Sequence, residues 1–282
     1  MDYLHRGVSQ IIVTNPSRNK YYKPNSSKNH REMELSRPTP FELEKLAEDF
    51  ETKSAQYVLR WALETYAGKI ALASSFGAED VVIIDMMHKI VNSTAKVFTL
   101  DTGRLNQETY DVIDAIKTRY GIEIEVYFPD QFDVEGMLRA HSMNLMYESV
   151  ENRKLCCEIR KVRPLNRALM NLDGWITGLR RDQVSTRVST KKVEIDGSHG
   201  GIIKVNPLAD WTFEKVWDYI KENDIPYNKL HDAGYPSIGC APCTRAVGPG
   251  EDRRSGRWWW ENAANKECGL HFDPTVRKKR AE

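Results

Sequence analysis

The chain has no excess of charge of either sign. Its 282 residues hold 41 Lys and Arg against 40 Asp and Glu, a formal net charge of +1. That balance removes a bulk electrostatic case for nucleic acid or an anionic membrane, so any anion site has to be built locally. No apolar run reaches the length of a bilayer span, and no positive–apolar–small leader opens the sequence. Neither a Walker A loop nor G-x-G-x-x-G occurs, which removes two common phosphate-binding loops. Cysteine is scarce: five residues, falling as an adjacent pair, a C-x-x-C and a singleton. Without a secretory leader, that pattern points to metal or redox chemistry and away from a disulfide framework. Acidic residues are scarce at the start, where only Asp2 precedes Glu32. Residues 1–38 therefore read as a polar, basic, flexible extension. The expected location is the cytoplasm, or a plastid or other organelle if residues 1–38 act as a transit peptide.

The length suits one large domain or two small ones. "TPFELEKLAEDFETKSAQYVLRWALETYAGK" has helical spacing and ends at Gly68. "KIALASSFGAED" predicts a strand, a small-residue turn and a helix from about Ala78. "KVFTLDTG" predicts a second strand, with a helix over about 106–120 after it. "GIEIEVYFPD" is a third strand, and "QFDVEGMLRAHS" a helix. A further helix is expected over about 162–172, then a fourth strand in "GWITGLR" and a fifth in "GIIKVNPLAD". In "TFEKVWDYIKEND", Phe213, Val216, Trp217 and Ile220 share one helical face and read as a core stripe. Alternating strands and helices predict an α/β fold, a parallel sheet flanked by helices on both faces. Ligands of such sheets bind beyond the carboxyl ends of the strands. The turns "SSFGAED", "DTGRL" and "GLRRDQ" therefore matter most. We divide the chain into the extension 1–38, an α/β domain 39–250 and a C-terminal tail 251–282.

Three stretches carry chemistry. "SSFGAED" (74–80) joins a strand to a helix whose first N–H groups could meet an anion; a plain tight turn reads equally well. "LCCEIRK" and "GCAPCTRA" supply Cys156, Cys157, Cys240 and Cys243, enough for a four-thiolate site holding zinc or an iron–sulfur cluster. Zinc sites space each cysteine pair by two or more residues, so the adjacent pair favours the cluster. "GEDRRSGRWWWENAANKECGLHF" sets Arg253, Arg254 and Arg257 beside three tryptophans, ahead of Cys268 and His271. Guanidinium groups bind phosphate or sulfate bidentately. Cationic neighbours also lower a thiol pKa and make it nucleophilic.

Taken in order, "SSFGAED", "LDTGRL", "CCEIRKVRPL", "WITGLRRDQ", "GYPSIGCAPCTRA", "GRWWWE" and "KECGLH" resemble the assimilatory adenylyl-sulfate (APS) reductases, in the branch carrying an iron–sulfur cluster. The resemblance covers about residues 40–272. It implies an adenine nucleotide alpha hydrolase-like fold, related to the ATP pyrophosphatases, and a [4Fe–4S] cluster on Cys156, Cys157, Cys240 and Cys243. It implies that Ser74 and Ser75 begin the loop nearest the nucleotide. The backbone around Leu100 and Gly178 would hold the adenine. Lys161 would lie between cluster and substrate, with Arg187, Arg254, Arg257 and His271 around the phosphosulfate and Cys268 as the nucleophile. After "RRDQ" the family often reads S-P-G-T-R, whereas residues 184–187 read "VSTR", one residue shorter.

The implied reaction is reduction of APS to sulfite and AMP, in sulfate assimilation, through an S-sulfonated Cys268. Plant-type members append a thioredoxin-like domain. This sequence stops at Glu282, so a separate thioredoxin, glutaredoxin or glutathione is the expected reductant. The oligomeric state stays open, a homo-oligomer included. Three alternatives remain: a 3′-phospho (PAPS) or dual-substrate reductase, an ATP-using sulfur-transfer enzyme of the pyrophosphatase fold, and a zinc-stabilised nucleotide-binding module.

Overall fold

Thr39 starts the first helix, α1 (Pro40–Phe50), in the computed structural model, which describes residues 38–91 and 96–262. Its hydroxyl accepts from the Glu42 N–H (3.3 Å), and the Glu42 carboxylate accepts from the Thr39 N–H (2.8 Å). These two bonds satisfy donors that a helix start otherwise leaves open. The single helical stretch expected over 39–68 is broken. Residues 51–53 turn, and Ser54 caps a second helix, α2 (Ala55–Thr65), by accepting from the Tyr57 N–H (3.2 Å). Thr-Lys-Ser favours that outcome, because short hydroxyl side chains compete for backbone groups and serve better as caps than as helix interior.

Strand β1 (Ile70–Ala73) leads into α3 (Ala78–Val91), β2 (Lys96–Leu100) into α4 (Gln107–Tyr120), and β3 (Ile124–Tyr127) into α5 (Gln131–Ala140). An α-helix, α6 (Val150–Cys157), passes through a five-residue π turn (Glu158–Val162) into α7 (Arg163–Leu169). Only the last part of that run was expected, so the cysteine pair lies on a helix where the sequence suggested none. β4 (Gly174–Ile176), β5 (Val193–Asp196), β6 (Ile202–Val205) and α8 (Phe213–Glu222) complete the described elements.

The sheet runs in the order β3-β2-β1-β4-β6-β5. Five strands are parallel; β5 pairs antiparallel with β6. The sheet is mostly parallel, as expected, with one antiparallel strand at its edge. "VEID" and "IIKV" form a hairpin across Gly200 and Gly201, both at positive φ (76° and 75°), and β5 closes the edge. Val193 is buried and Ile195 partly exposed, so the strand is half-apolar and carries too little pattern to be recognised alone.

Side chains alternate across the strands. Ile70, Leu72, Val97 and Ile176 face one core with α2, α3 and α8; Ala71, Phe98 and Trp175 face a second core with α7. Val216 and Ile220 sit in the first core with Trp217 packed on it, as the stripe predicts. Phe213 departs from it and lines the cavity described below. β1 has β2 on one side and β4 on the other, and the chain leaves it in opposite directions after these two pairs. That reversal opens a crevice at the carboxyl ends of β1 and β4. A third, smaller core gathers Met137, Leu145, Met146, Ile159 and Trp258 with Cys156 and Cys243. No helix among the described residues is long and apolar enough to cross a membrane.

Candidate active site

The loop after β1 is tied down from within. Ser74 donates its N–H to the Phe98 carbonyl (2.8 Å) and accepts the Phe76 N–H on its hydroxyl (3.1 Å). Ser75 donates both its N–H (2.7 Å) and its hydroxyl (2.9 Å) to Asp80 Oδ2. The N–H groups of Ser74, Ser75 and Phe76 are thus engaged by the loop and by β2, ahead of the first N–H groups of α3 that the sequence offers to an anion. Phe76, fully buried, takes a left-handed φ of 57° to make this turn. Glu79 and Asp80 occupy the first turn of α3. Burial raises the Asp80 carboxyl to about 6, more than the Ser75 hydrogen bonds lower it. This wall of the crevice is acidic.

The loop after β4 leans on that acid. Arg180 donates to Glu79 (2.9 Å) and to Asp182 (2.9 Å), and Gln183 donates to Glu79 (3.0 Å). Gln183 in turn accepts from Arg187 (2.5 Å). Gly178 passes so close to α3 that a Cβ there would stand 2.4 Å from Asp80 Oδ1. The crevice between the two loops is a cavity of ≈ 240 Å³. Ser74, Ser75, Leu100, Lys161, Gly178, Arg187, Arg254 and Arg257 all line it. His271 and Cys268 lie outside the described residues.

The four cysteines come together in a second pocket beside the first. Cys156 and Cys157 end α6; Cys240 and Cys243 flank a short 3-10 turn. The turn after β2 holds that segment: Ala241 donates to the Arg104 carbonyl (2.8 Å), and Thr102 Oγ1 lies 3.2 Å from Cys240 Sγ. Arg104, Arg153, Arg160, Lys161 and Arg257 line the thiol pocket, and Lys161 and Arg257 line the cavity too. Burial pushes the Cys240 thiol up, but Lys161, the Thr102 hydroxyl, Arg257 and Arg160 more than offset it, leaving the thiol below its ordinary value. Burial and the neighbouring Cys240 push Cys243 up to about 12. Among the described residues, no three His, Cys, Asp or Glu side chains are grouped so as to hold one metal ion. The thiols share a pocket without closing on a single point.

Three buried donors on that pocket have no acceptor among the described residues: Arg160 Nε, Arg257 Nε and Trp258 Nε1. Trp258 lies between two guanidinium groups, 4.8 Å from Arg153 and 4.8 Å from Arg257. Arg257 is pressed against Gly239, where a Cβ would stand 2.4 Å from its Nη2, and donates to the Ile238 carbonyl (3.2 Å). Arg253 also lines the cavity, where it donates to Glu214 (2.9 Å) and lies over the Phe213 ring (4.0 Å).

The sequence stretch at residues 69–246 matches the model of the phosphoadenosine phosphosulfate reductase domain. The chain belongs to the APS/PAPS reductase family. The reductase is 52% identical over 206 residues to the adenosine 5′-phosphosulfate reductase of Burkholderia cepacia, covering 72% of this chain and 81% of that one. It is 47% identical over 238 residues to the chloroplastic 5′-adenylylsulfate reductase 1 of Arabidopsis thaliana, and spans about half (50%) of that longer protein. Among solved structures, the phosphoadenylyl-sulfate reductase of Candida auris in a phosphate complex matches with a TM-score of 0.64 at 30% identity. That match covers 74% of this chain and 98% of the other.

Sequence reasoning missed several residues of this reductase's cavity. Glu79, Arg180 and Gln183 lay inside singled-out motifs but carried no pattern of their own. His231 had no signal at all, because its place depends on how the 3-10 turn Lys229–His231 folds back over the crevice.

Proposed function

We propose that this reductase converts APS to sulfite and AMP, in sulfate assimilation, with Cys268 as the nucleophile and a thioredoxin-type dithiol as reductant. The reading rests on one observation above others. A nucleotide-sized cavity at the strand ends shares Lys161 and Arg257 with a pocket lined by four thiols.

The adenine lies against the backbone of Leu100 and Gly178. Lys161, Arg187, Arg254, Arg257 and His271 take the phosphosulfate, where their charge offsets the repulsion between thiolate and anion. The Cys268 thiolate attacks the sulfate sulfur, the bond from that sulfur to the bridging oxygen breaks, and AMP departs with the electron pair. The enzyme then carries S-sulfocysteine. A thiol of the reductant attacks Cys268 Sγ and expels sulfite, leaving a mixed disulfide. The second thiol of the reductant resolves it, returning Cys268 and an oxidised disulfide.

Cys156, Cys157, Cys240 and Cys243 would hold a [4Fe–4S] cluster. The donor set fits: four thiols in one pocket, five cations to balance thiolate charge, and three buried N–H groups with no acceptor among the described residues. When bound, the cluster supplies an electrostatic field beside the phosphosulfate, and the scheme above asks no electron of it.

Mass spectrometry after adding APS without reductant tests the reading. One SO₃ adduct is expected on the peptide carrying Cys268, and thioredoxin should release it as sulfite. Cys268→Ser should bind APS yet form no adduct. Sulfite production by that variant would remove the nucleophile assignment.

A further inference from the structure

His231 lines the nucleotide cavity with both ring nitrogens buried, and neither makes a hydrogen bond among the described residues. Two open valences on one buried imidazole are costly, because each lost its water without gaining a partner. The Tyr235 backbone approaches the ring without completing a bond.

The ring is held in place from behind. It packs edge-on against Trp217, with centroids 5.1 Å apart. Its backbone N–H donates to the Asn228 carbonyl (3.1 Å), and Asn228 Nδ2 donates to the buried Thr109 hydroxyl (3.1 Å). An imidazole positioned this firmly, with its polar atoms unused, is built to meet something that enters the cavity.

We propose that His231 binds a ribose hydroxyl of the nucleotide, on the side of the cavity where Glu79 lies. This rests on the nucleotide reading above and adds a residue to it. Three facts select a hydroxyl. A neutral imidazole has one donor and one acceptor, and a hydroxyl offers the complement of both. Burial holds the ring below its ordinary pKa, against the opposing pull of Glu79 and Asp232, so the neutral form is present at pH 7. Glu79 and Asp80 line this wall, and their carboxyl groups disfavour a phosphate there. The cations assigned to the phosphosulfate and the backbone assigned to adenine leave the sugar as the remaining polar part.

The test is calorimetric titration of AMP, 2′-deoxy-AMP and 3′-deoxy-AMP into wild-type protein, His231→Phe and His231→Gln. Phe keeps the packing on Trp217, and Gln restores a donor and an acceptor. AMP should bind His231→Phe about tenfold more weakly, and Gln should recover part of that. One deoxy analogue should bind wild type about as weakly as AMP binds the Phe variant, with no further loss on that variant. Which analogue does so identifies the hydroxyl. Equal AMP affinity in wild type and His231→Phe overturns the inference, as do deoxy analogues that bind wild type as AMP does. Those analogues test the unchanged protein, so equal binding overturns the inference even where the Phe variant folds poorly, and the Gln variant then carries the assignment to His231. A wild-type protein that binds no AMP sinks the nucleotide reading itself, a different and recognisable failure.

Discussion

Gly178 illustrates how much one missing side chain does here. It has an ordinary φ, so its role is space. A methyl group would stand 2.4 Å from Asp80 Oδ1 and 2.9 Å from Glu79 Cβ, and both belong to the first turn of α3. Gly178→Ala must therefore push the two crevice loops apart, at a cost of about 1–3 kcal/mol. We expect a drop of roughly tenfold or more in AMP affinity by calorimetry, with the circular dichroism spectrum unchanged. Undiminished affinity would show that this close approach does not shape the cavity. The four cysteines could be picked out because their spacing is itself a chemical pattern, whereas Gly178 and the serines were singled out only through the family resemblance. Residues such as His231 were not legible, since a lone histidine in a loop acquires meaning only from what folds around it. Arg253 was read as part of a basic cluster, and the structure gives it to Glu214 and Phe213.

At the level of elements, the strand–helix alternation was readable because buried parallel strands and amphipathic helices leave clear periods. The cysteine helix was not. "VENRKLCCEIRKV" mixes charges and thiols on every face, and its apolar residues serve a small satellite core. Its π turn widens the helix between Cys157 and Arg163, in a stretch where Arg160 reaches the Thr102 carbonyl (2.7 Å). The same helix holds the segment that leads into the C-terminal tail. Arg153 and Glu261 form a bidentate pair at 2.9 Å and 2.9 Å with side chains 1% and 2% exposed. Removing one partner leaves a buried charge, so Glu261→Ala should lose about 3–5 kcal/mol in urea unfolding. A double change, Arg153→Met with Glu261→Leu, should recover most of it. A loss below about 1 kcal/mol for Glu261→Ala would mean that water reaches the pair.

On the scale of the whole molecule, an even charge balance conceals a local excess. Arg153, Arg160, Lys161, Arg187, Arg254 and Arg257 all border one or other of two adjoining pockets, while Glu79 and Asp80 mark the opposite loop. Two of those cations, Lys161 and Arg257, belong to both pockets. Occupants that share a charged wall are expected to influence each other's binding. Whatever factor metal loading of the thiols applies to nucleotide affinity, nucleotide must apply to metal affinity, since both paths lead to the same doubly occupied state. Titrating AMP into metal-free and metal-loaded protein gives that factor directly, and a value of one would show that the common cations transmit nothing. Any other value makes the thiol site a reporter on the substrate site, so that retention of whatever metal the thiols hold would depend on how much nucleotide surrounds the protein.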